Sequence, residues 1–216
     1  MVILAELSGQ GRPGFSASKT VALLGVLVAI DATLRLAPSL LGASPIFLLI
    51  ILVGAVFGPS FGFLMGALTL LVSSFLVGGL GPWLPYQMLG AGWVGLGAGW
   101  LPRPAGRRFR ISVVAAYGAV SGLLYGALLN LYAWPYSAPG SASQAGLYWS
   151  PDLGLSETVE RYASFYLVTS LGHDLFRAGG NAILVLLLGE PLLRLLERVR
   201  GRFLWTPVAV GEIRSV

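Results

Sequence analysis

LAPSLLGASPIFLLIILVGAVFGPSFGFLMGALTLLVSSFLVGGLGPWLPYQMLGAGWVGLGAGWLP, residues 36–102, is a run of 67 residues without one Lys, Arg, Asp, Glu or His, bounded by Arg35 and Arg103. Bilayer hydrocarbon is about 30 Å thick and takes roughly 20 apolar residues per helix, so a run of this length must cross it more than once. Within hydrocarbon every backbone N–H and C=O needs a protein partner, which selects helices over open strands. The whole chain agrees. Of its 216 residues, 56% are hydrophobic and 11% charged, with a mean hydropathy of +0.79. So few charged groups cannot cover a water-facing surface, and the chain reads as one integral membrane domain without a soluble appendage.

Pro and Gly divide the run. Gly58-Pro59 marks a tight turn, because Pro lacks an amide donor and Gly tolerates unusual dihedrals. Gly78-Gly79-Leu80-Gly81-Pro82-Trp83-Leu84-Pro85 cannot be continuous helix. Between these breaks the sequence predicts second, third and fourth spans over residues 40–57, 60–77 and 86–101. The fourth holds Gly90, Gly92, Gly95, Gly97 and Gly99, a density that implies close backbone approach between helices. Working outward, the first span covers residues 17–36, with Ser16 or Ser18 to cap it and Pro38 to end it. A fifth covers residues 111–134 and a sixth residues 162–188, separated by a connection over 135–160 and followed by Pro191 and an amphipathic basic tail. The predicted fold is an all-α integral membrane bundle of six transmembrane helices: a flexible lead (1–16), the membrane domain (17–198) and the tail (199–216). The lead lacks a signal peptide's order of basic region, short apolar core and small-residue cleavage site, so it is expected to be retained.

Six spans put both termini on one side. That side receives Arg12 and Lys19, then Arg103, Arg107, Arg108 and Arg110, then Arg194, Arg198, Arg200, Arg202 and Arg214. The opposite side's long connection offers Asp152, Glu157 and Glu160 against Arg161. Basic excess belongs in the cytoplasm, so both termini are expected inside a cell membrane. The net charge of +5 is thereby a matter of topology and anionic headgroups, and no nucleic-acid partner is expected.

The outward loops carry aromatics: Trp83 and Tyr86 in one, Trp134, Tyr136, Tyr148 and Trp149 in the other. They read either as an interfacial aromatic belt or as a lid whose rings cover an organic solute. The length of the second loop favours a lid. The sixth span then carries His173, Asp174, Arg177 and Asn181, whose spacings place all four on one helix face. A charge at membrane depth costs several kcal/mol unless paired, so Asp174 and Arg177 are expected to pair inward. The cluster is either a staple between helices or the polar wall of a solute site. Gln87 and Asn130 can face the same cavity. Asp31 and Arg35 read as a similar pair on the outer half of span one, bridging there as a snorkelling structural element. On the inner half, Ser18, Ala22, Gly25 and Ala29 form a smooth small-residue face that either packs within the bundle or receives another protein's helix.

With no Cys and one His, a metal site and thiol catalysis are not expected. No Gly-x-x-x-x-Gly-Lys-Ser/Thr segment exists to cradle a nucleotide. A Ser–His dyad of an intramembrane protease has Ser121 and His173 as its only materials, in a setting, Gly118-Ala119-Val120-Ser121-Gly122, that differs from the rhomboid pattern. A stand-alone channel or secondary carrier stays open, although no inverted repeat supports a carrier.

The order and spacing of residues 45–63 (PIFLLIILVGAVFGPSFGF), 81–88 (GPWLPYQM), 125–130 (YGALLN) and 173–181 (HDLFRAGGN) resemble the substrate-binding S component of an energy-coupling factor (ECF) transporter, over about residues 19–198. The resemblance implies a membrane subunit, not an enzyme, that captures a vitamin or related micronutrient outside the cell. It implies partners: a transmembrane coupling (T) subunit and two cytoplasmic ATPase subunits, which use the ATP, with no cofactor held by this chain. It implies solute binding near the outer face by spans four to six, here Trp83, Tyr86, Gln87, Asn130, Trp149, His173, Asp174, Arg177 and Asn181, and toppling in the membrane to release the solute. The family docks its coupling subunit through an Ala-x-x-x-Ala pattern in span one. Ser18, Ala22, Gly25 and Ala29 stand at the matching positions without the strict Ala pair. A cobalamin-type corrinoid is one ligand that the resemblance and the Gly-rich interior accommodate.

Overall fold

A computed structural model gives the structure of residues 17–37, 44–104, 106–136 and 146–203. These fold into α1 (Ala17–Leu34), α2 (Ile46–Phe57), α3 (Pro59–Val77), α4 (Leu84–Gly99), α5 (Arg107–Ala133, continued by a 3-10 turn at Trp134–Tyr136), α6 (Leu155–Thr169) and α7 (Leu171–Phe203). No strand occurs among the described residues. Helix α3, and α5 together with its terminal turn, are long and apolar enough to cross a membrane.

A helix that is apolar on every face has no stable place except inside, and α2 occupies the centre. Ile46 through Val56 are all buried, packed by α1, α3, α4, α5 and α7. Its 12 residues reach only about 18 Å, short of the hydrocarbon thickness. The last carbonyls of any helix lack intrahelical donors, and two arginines supply them here. Arg103 donates to Ala55 O (3.2 and 3.0 Å) and Val56 O (3.4 Å), and Arg200 of α7 donates to Val56 O at 3.0 Å. Their charge also suits the negative end of the α2 dipole.

The breaks fall where Gly and Pro predict them. Gly58 (φ 102°) joins α2 to α3, with Pro59 in the first turn of α3, and left-handed Gly78 (φ 67°) ends α3 as a C-cap glycine does. Glycine lets α3 and α4 touch backbone to backbone. A Cβ on Gly62 or Gly54 would fall on the Gly95 carbonyl, and one on Gly66 on the Ala91 carbonyl. The sequence predicted this approach, and the helices α4 meets this way are α3, at Gly62 and Gly66, and α2, at Gly54.

The expected sixth span is two helices. Ser170 leaves helical geometry (φ −127°, ψ −29°), and Thr169 Oγ1 turns back to Phe165 O at 2.7 Å and meets Ser170 Oγ at 3.0 Å. Local hydroxyl bonds of this kind compete with the backbone ladder. The bend at Ser170 starts α7 at Leu171, two residues before His173. Pro191 does not end α7, which continues to Phe203, so the expected boundary at residue 198 lies inside a helix. Around Pro191, Arg194–Glu190 and Arg110–Glu197 are ion-paired, and Arg107 lies 3.5 Å from Glu190. The arginines read as topology signals thus also tie the start of α5 to α7.

Large apolar side chains on the outside, among them Phe75, Trp93, Leu124, Ile183 and Leu187, make a coat that suits lipid better than water. On α1, Leu23, Leu24, Leu27 and Val28 are buried, while Ser18, Ala22, Gly25 and Ala29 are all exposed. The small-residue face therefore does not pack within this bundle.

Candidate functional site

At the end of the bundle opposite the arginines, α4, α5 and the α6–α7 bend diverge around a cavity of about 870 Å³. That volume suits a drug-sized organic molecule. Its walls are Pro82, Trp83 and Gln87 at the start of α4; Gly126, Leu129, Asn130, Tyr132, Ala133 and Tyr136 at the end of α5; Thr169 and Ser170 at the bend; and His173, Asp174 and Arg177 on α7. Six residues singled out from sequence meet here: Trp83, Gln87, Asn130, His173, Asp174 and Arg177. Three do not line the cavity. Tyr86 backs its wall, with its ring stacked on Tyr132 at 3.9 Å between centroids. Trp149 is exposed elsewhere.

Asn181, the third, is fully buried and donates from Nδ2 to Gly118 O at 3.1 Å, a staple between α7 and α5. The pattern behind this is one of glycines. Gly118, Gly122 and Gly126 recur every four residues along α5, and Asn181, Ala178 and Asp174 of α7 sit against them in reverse order. Only hydrogen at position 126 leaves room for the Asp174 carboxylate.

Asp174, with 2% of its side chain exposed, is ion-paired to Arg177, as its spacing predicted. Arg177 also reaches His173 Nδ1 at 3.3 Å and lies over the Tyr125 ring, 5.5 Å from its centroid, a cation–π distance. The cluster is consequently both wall and staple: its upper members face the cavity and Asn181 holds the helices below.

The Asp31–Arg35 pair expected from i, i+4 spacing does not form. Helix α1 ends at Leu34, so Arg35 leaves the helical path. Buried Asp31 accepts from Thr69 Oγ1 at 2.9 Å, and Arg35 turns instead to Ser73 (2.9 Å), Ser74 (3.4 Å) and Gln87 Oε1 (3.4 Å). The lid also needs correction in part. Trp134 is buried, donates to Leu147 O at 2.9 Å and packs against Tyr162 and Phe165, so it is core. Residues 137–145 of the expected lid lie outside the described residues.

The cavity-lining residues not marked as site residues from sequence are Pro82, Gly126, Leu129, Tyr132, Ala133, Tyr136, Thr169 and Ser170. A signal existed for part of α5, since Gly126, Leu129 and Ala133 share a helical face with Asn130. For Thr169 and Ser170 none did, because a continuous span hides the bend.

The chemistry on offer is recognition. Aromatic rings, polar groups and the Asp174–Arg177 ion pair surround the space, and the described residues hold no group of three or more acidic or His side chains arranged for a metal. Ser121 is buried and donates to Gly118 O of its own helix at 3.2 Å, so it makes no dyad with His173, which engages Arg177.

Comparison with curated proteins and with solved structures gave no match. The family model described as ECF transporter, substrate-specific component, matches residues 19–189, through α1 to α6 and more than half of α7. With that match over most of its length, the chain belongs to the substrate-specific components of ECF transporters, membrane-embedded substrate-binding subunits rather than enzymes.

Proposed function

We propose that this subunit crosses the cell membrane six times with both termini in the cytoplasm, and binds a vitamin or related micronutrient in the 870 Å³ cavity from outside. The observation that carries the reading is polarity along the bundle. Arg103, Arg107, Arg110, Arg194 and Arg200 gather at one end, around the last turn of α2 and the Glu190–Glu197 stretch, while the cavity opens at the other end of α4 and α5. Because basic excess favours the cytoplasmic side, this arrangement supports an opening on the outer side.

Trp83, Tyr132 and Tyr136 supply flat surface to the solute, and Gln87, Asn130 and His173 supply hydrogen bonds, which strengthen as water is excluded. Transport draws on partners: a transmembrane coupling subunit, docked on the uncovered face of Ser18, Ala22, Gly25 and Ala29, and two cytoplasmic ATPases.

Mass spectrometry of small molecules released from the protein purified in mild detergent tests binding. Uptake by vesicles with and without the coupling and ATPase subunits tests energisation. A stoichiometric micronutrient and subunit-dependent uptake are expected. Uptake by this chain alone, insensitive to ATP, would refute the importer reading in favour of a carrier.

A further inference from the structure

Two arginines fix which way round the cavity's polar groups face. A guanidinium carries donors and no acceptor. Arg35, from the turn after α1, reaches Gln87 Oε1 at 3.4 Å while its other terminal nitrogen holds Ser73 Oγ at 2.9 Å. Gln87 must therefore turn its oxygen toward Arg35. Its amide nitrogen makes no hydrogen bond to the described residues and is left for the cavity that Gln87 lines.

The α7 wall repeats the arrangement. Arg177 lies 3.3 Å from His173 Nδ1, a hydrogen bond only if Nδ1 carries no proton, which places the neutral imidazole's proton on Nε2. Asp174 Oδ1 is 3.6 Å from Nδ1, outside hydrogen-bond reach, so the carboxylate does not impose the opposite tautomer. The His173 side chain is 51% exposed and lines the same cavity.

Both groups thus present N–H donors, and among the described residues no unpaired cation lines the cavity with them: Arg177 is committed to Asp174, and Arg35 stands behind the wall. An anion would find no unpaired positive partner among the residues that line the cavity, and at Gln87 and His173 a solute edged with donors would meet donors. Resting on the reading of this cavity as the solute site, we infer that it selects a neutral, flat heteroaromatic solute whose edge offers ring-carbonyl acceptors to Gln87 Nε2 and His173 Nε2. Arg35 is a positioning residue for that selectivity, acting through Gln87 without touching the solute.

Three probes on one ring test it by calorimetry and thermal shift on the full chain in detergent: a quinazolinedione with two ring carbonyls, the corresponding diamine, and a quinazoline carboxylate. The dione is expected to bind about tenfold tighter than either of the others, the worth of one well-placed hydrogen bond. Gln87→Glu keeps the Arg35 contact but deletes the donor, so dione affinity falls about tenfold at unchanged melting temperature. Arg35→Met frees the amide to turn over, and the preference shrinks to about twofold or less. On the other wall, His173→Phe costs about tenfold independently of Gln87 and Arg35.

Diamine or carboxylate binding as tightly as the dione would overturn the inference, as would undiminished dione binding by Gln87→Glu. Failure of all three probes would overturn the acceptor-edged class. It would leave the importer reading to be decided by released solute and subunit-dependent uptake, and a released anion would refute the inference while upholding that reading.

Discussion

Adding one methyl group at each of the three stacked glycines of α5 gives a graded test of how α5 and α7 meet. At Gly118 a Cβ would lie 3.5 Å from Ile51 Cδ1 and 3.6 Å from Asn181 Cβ, ordinary van der Waals contact. Gly118→Ala also removes the entropy penalty of a mid-helix glycine, worth roughly 0.5–1 kcal/mol. It is therefore expected to be neutral or to stabilise by up to about 1 kcal/mol. At Gly122 the new atom would stand 3.1 Å from Asn181 Nδ2 and 3.2 Å from the Ala178 backbone. Backbone cannot rotate away, so overpacking of about 1–3 kcal/mol outweighs the helix gain, for a net loss of about 1 kcal/mol. At Gly126 the methyl would occupy the space of the Asp174 carboxylate itself. Either the helices separate or the carboxylate swings into the cavity and leaves Arg177. Breaking a fully buried ion pair costs about 3–5 kcal/mol, and the cavity's access to water reduces this, so about 2 kcal/mol is expected.

Thermal unfolding of the three variants in one detergent should rank them Gly118→Ala, Gly122→Ala, Gly126→Ala in descending stability. Gly126→Ala alone should also weaken solute binding, since Asp174 would then intrude on the site. Equal losses at all three positions, or a Gly118→Ala variant as damaged as Gly126→Ala, would refute the close packing from which these magnitudes come.

Removing the arginine caps of α2 should destabilise without touching the cavity: Arg103→Ala by about 2 kcal/mol, since Ala55 O loses its donors, and Arg200→Ala by about 1 kcal/mol, since Val56 O keeps only its longer bond from Arg103, read by thermal unfolding with solute affinity unchanged. Glu190 gives a pH dependence. The hydrogen bond from Arg194, reinforced by the charges of Arg194, Arg107 and Arg108, holds its carboxyl below the ordinary value of 4.5. The ionised form is favoured by the fold, so its contribution is present above pH 4.5 and fades as pH falls through the lowered folded value. Glu190→Gln should flatten that acid limb, and an identical limb in the variant would exclude the Arg194 contact as its source. On α1, a Cβ at Gly25 meets nothing within 4 Å, so Gly25→Leu should leave melting temperature and solute affinity unchanged while abolishing subunit-dependent uptake. Intact uptake would remove the docking role of that face.

The helical breaks at Gly58-Pro59 and residues 78–85 were legible because they depend on the intrinsic dihedral limits of Gly and Pro, which tertiary contacts cannot relax. The Ser170 bend was not, because Ser and Thr are acceptable in a helix interior and leave it only when their hydroxyls find better local partners, as Thr169 does at Phe165 O. Pro191 misled in the opposite direction. One lost hydrogen bond was outweighed by the packing of Leu193 and Leu196, both buried, and by the ion pairs of Glu190 and Glu197 on either side.

In the site, periodicity was reliable only as far as the helix carrying it. His173, Asp174 and Arg177 share a face and a cavity because α7 is regular through them, whereas Asn181, one further turn down, passes below the cavity floor into the Gly118–Gly122 notch. Spacing assigns a face and says nothing of depth. Asp31 and Arg35 fail for a related reason: four residues apart, they straddle the end of α1, and a spacing rule has no meaning across a helix terminus. What replaces their pair is more consequential for function. Arg35 leaves the helix that carries the exposed small-residue face and reaches Gln87 in the cavity wall through a contact 52 residues away in sequence. The helix proposed to meet the coupling subunit and the wall proposed to meet the solute therefore share one side chain.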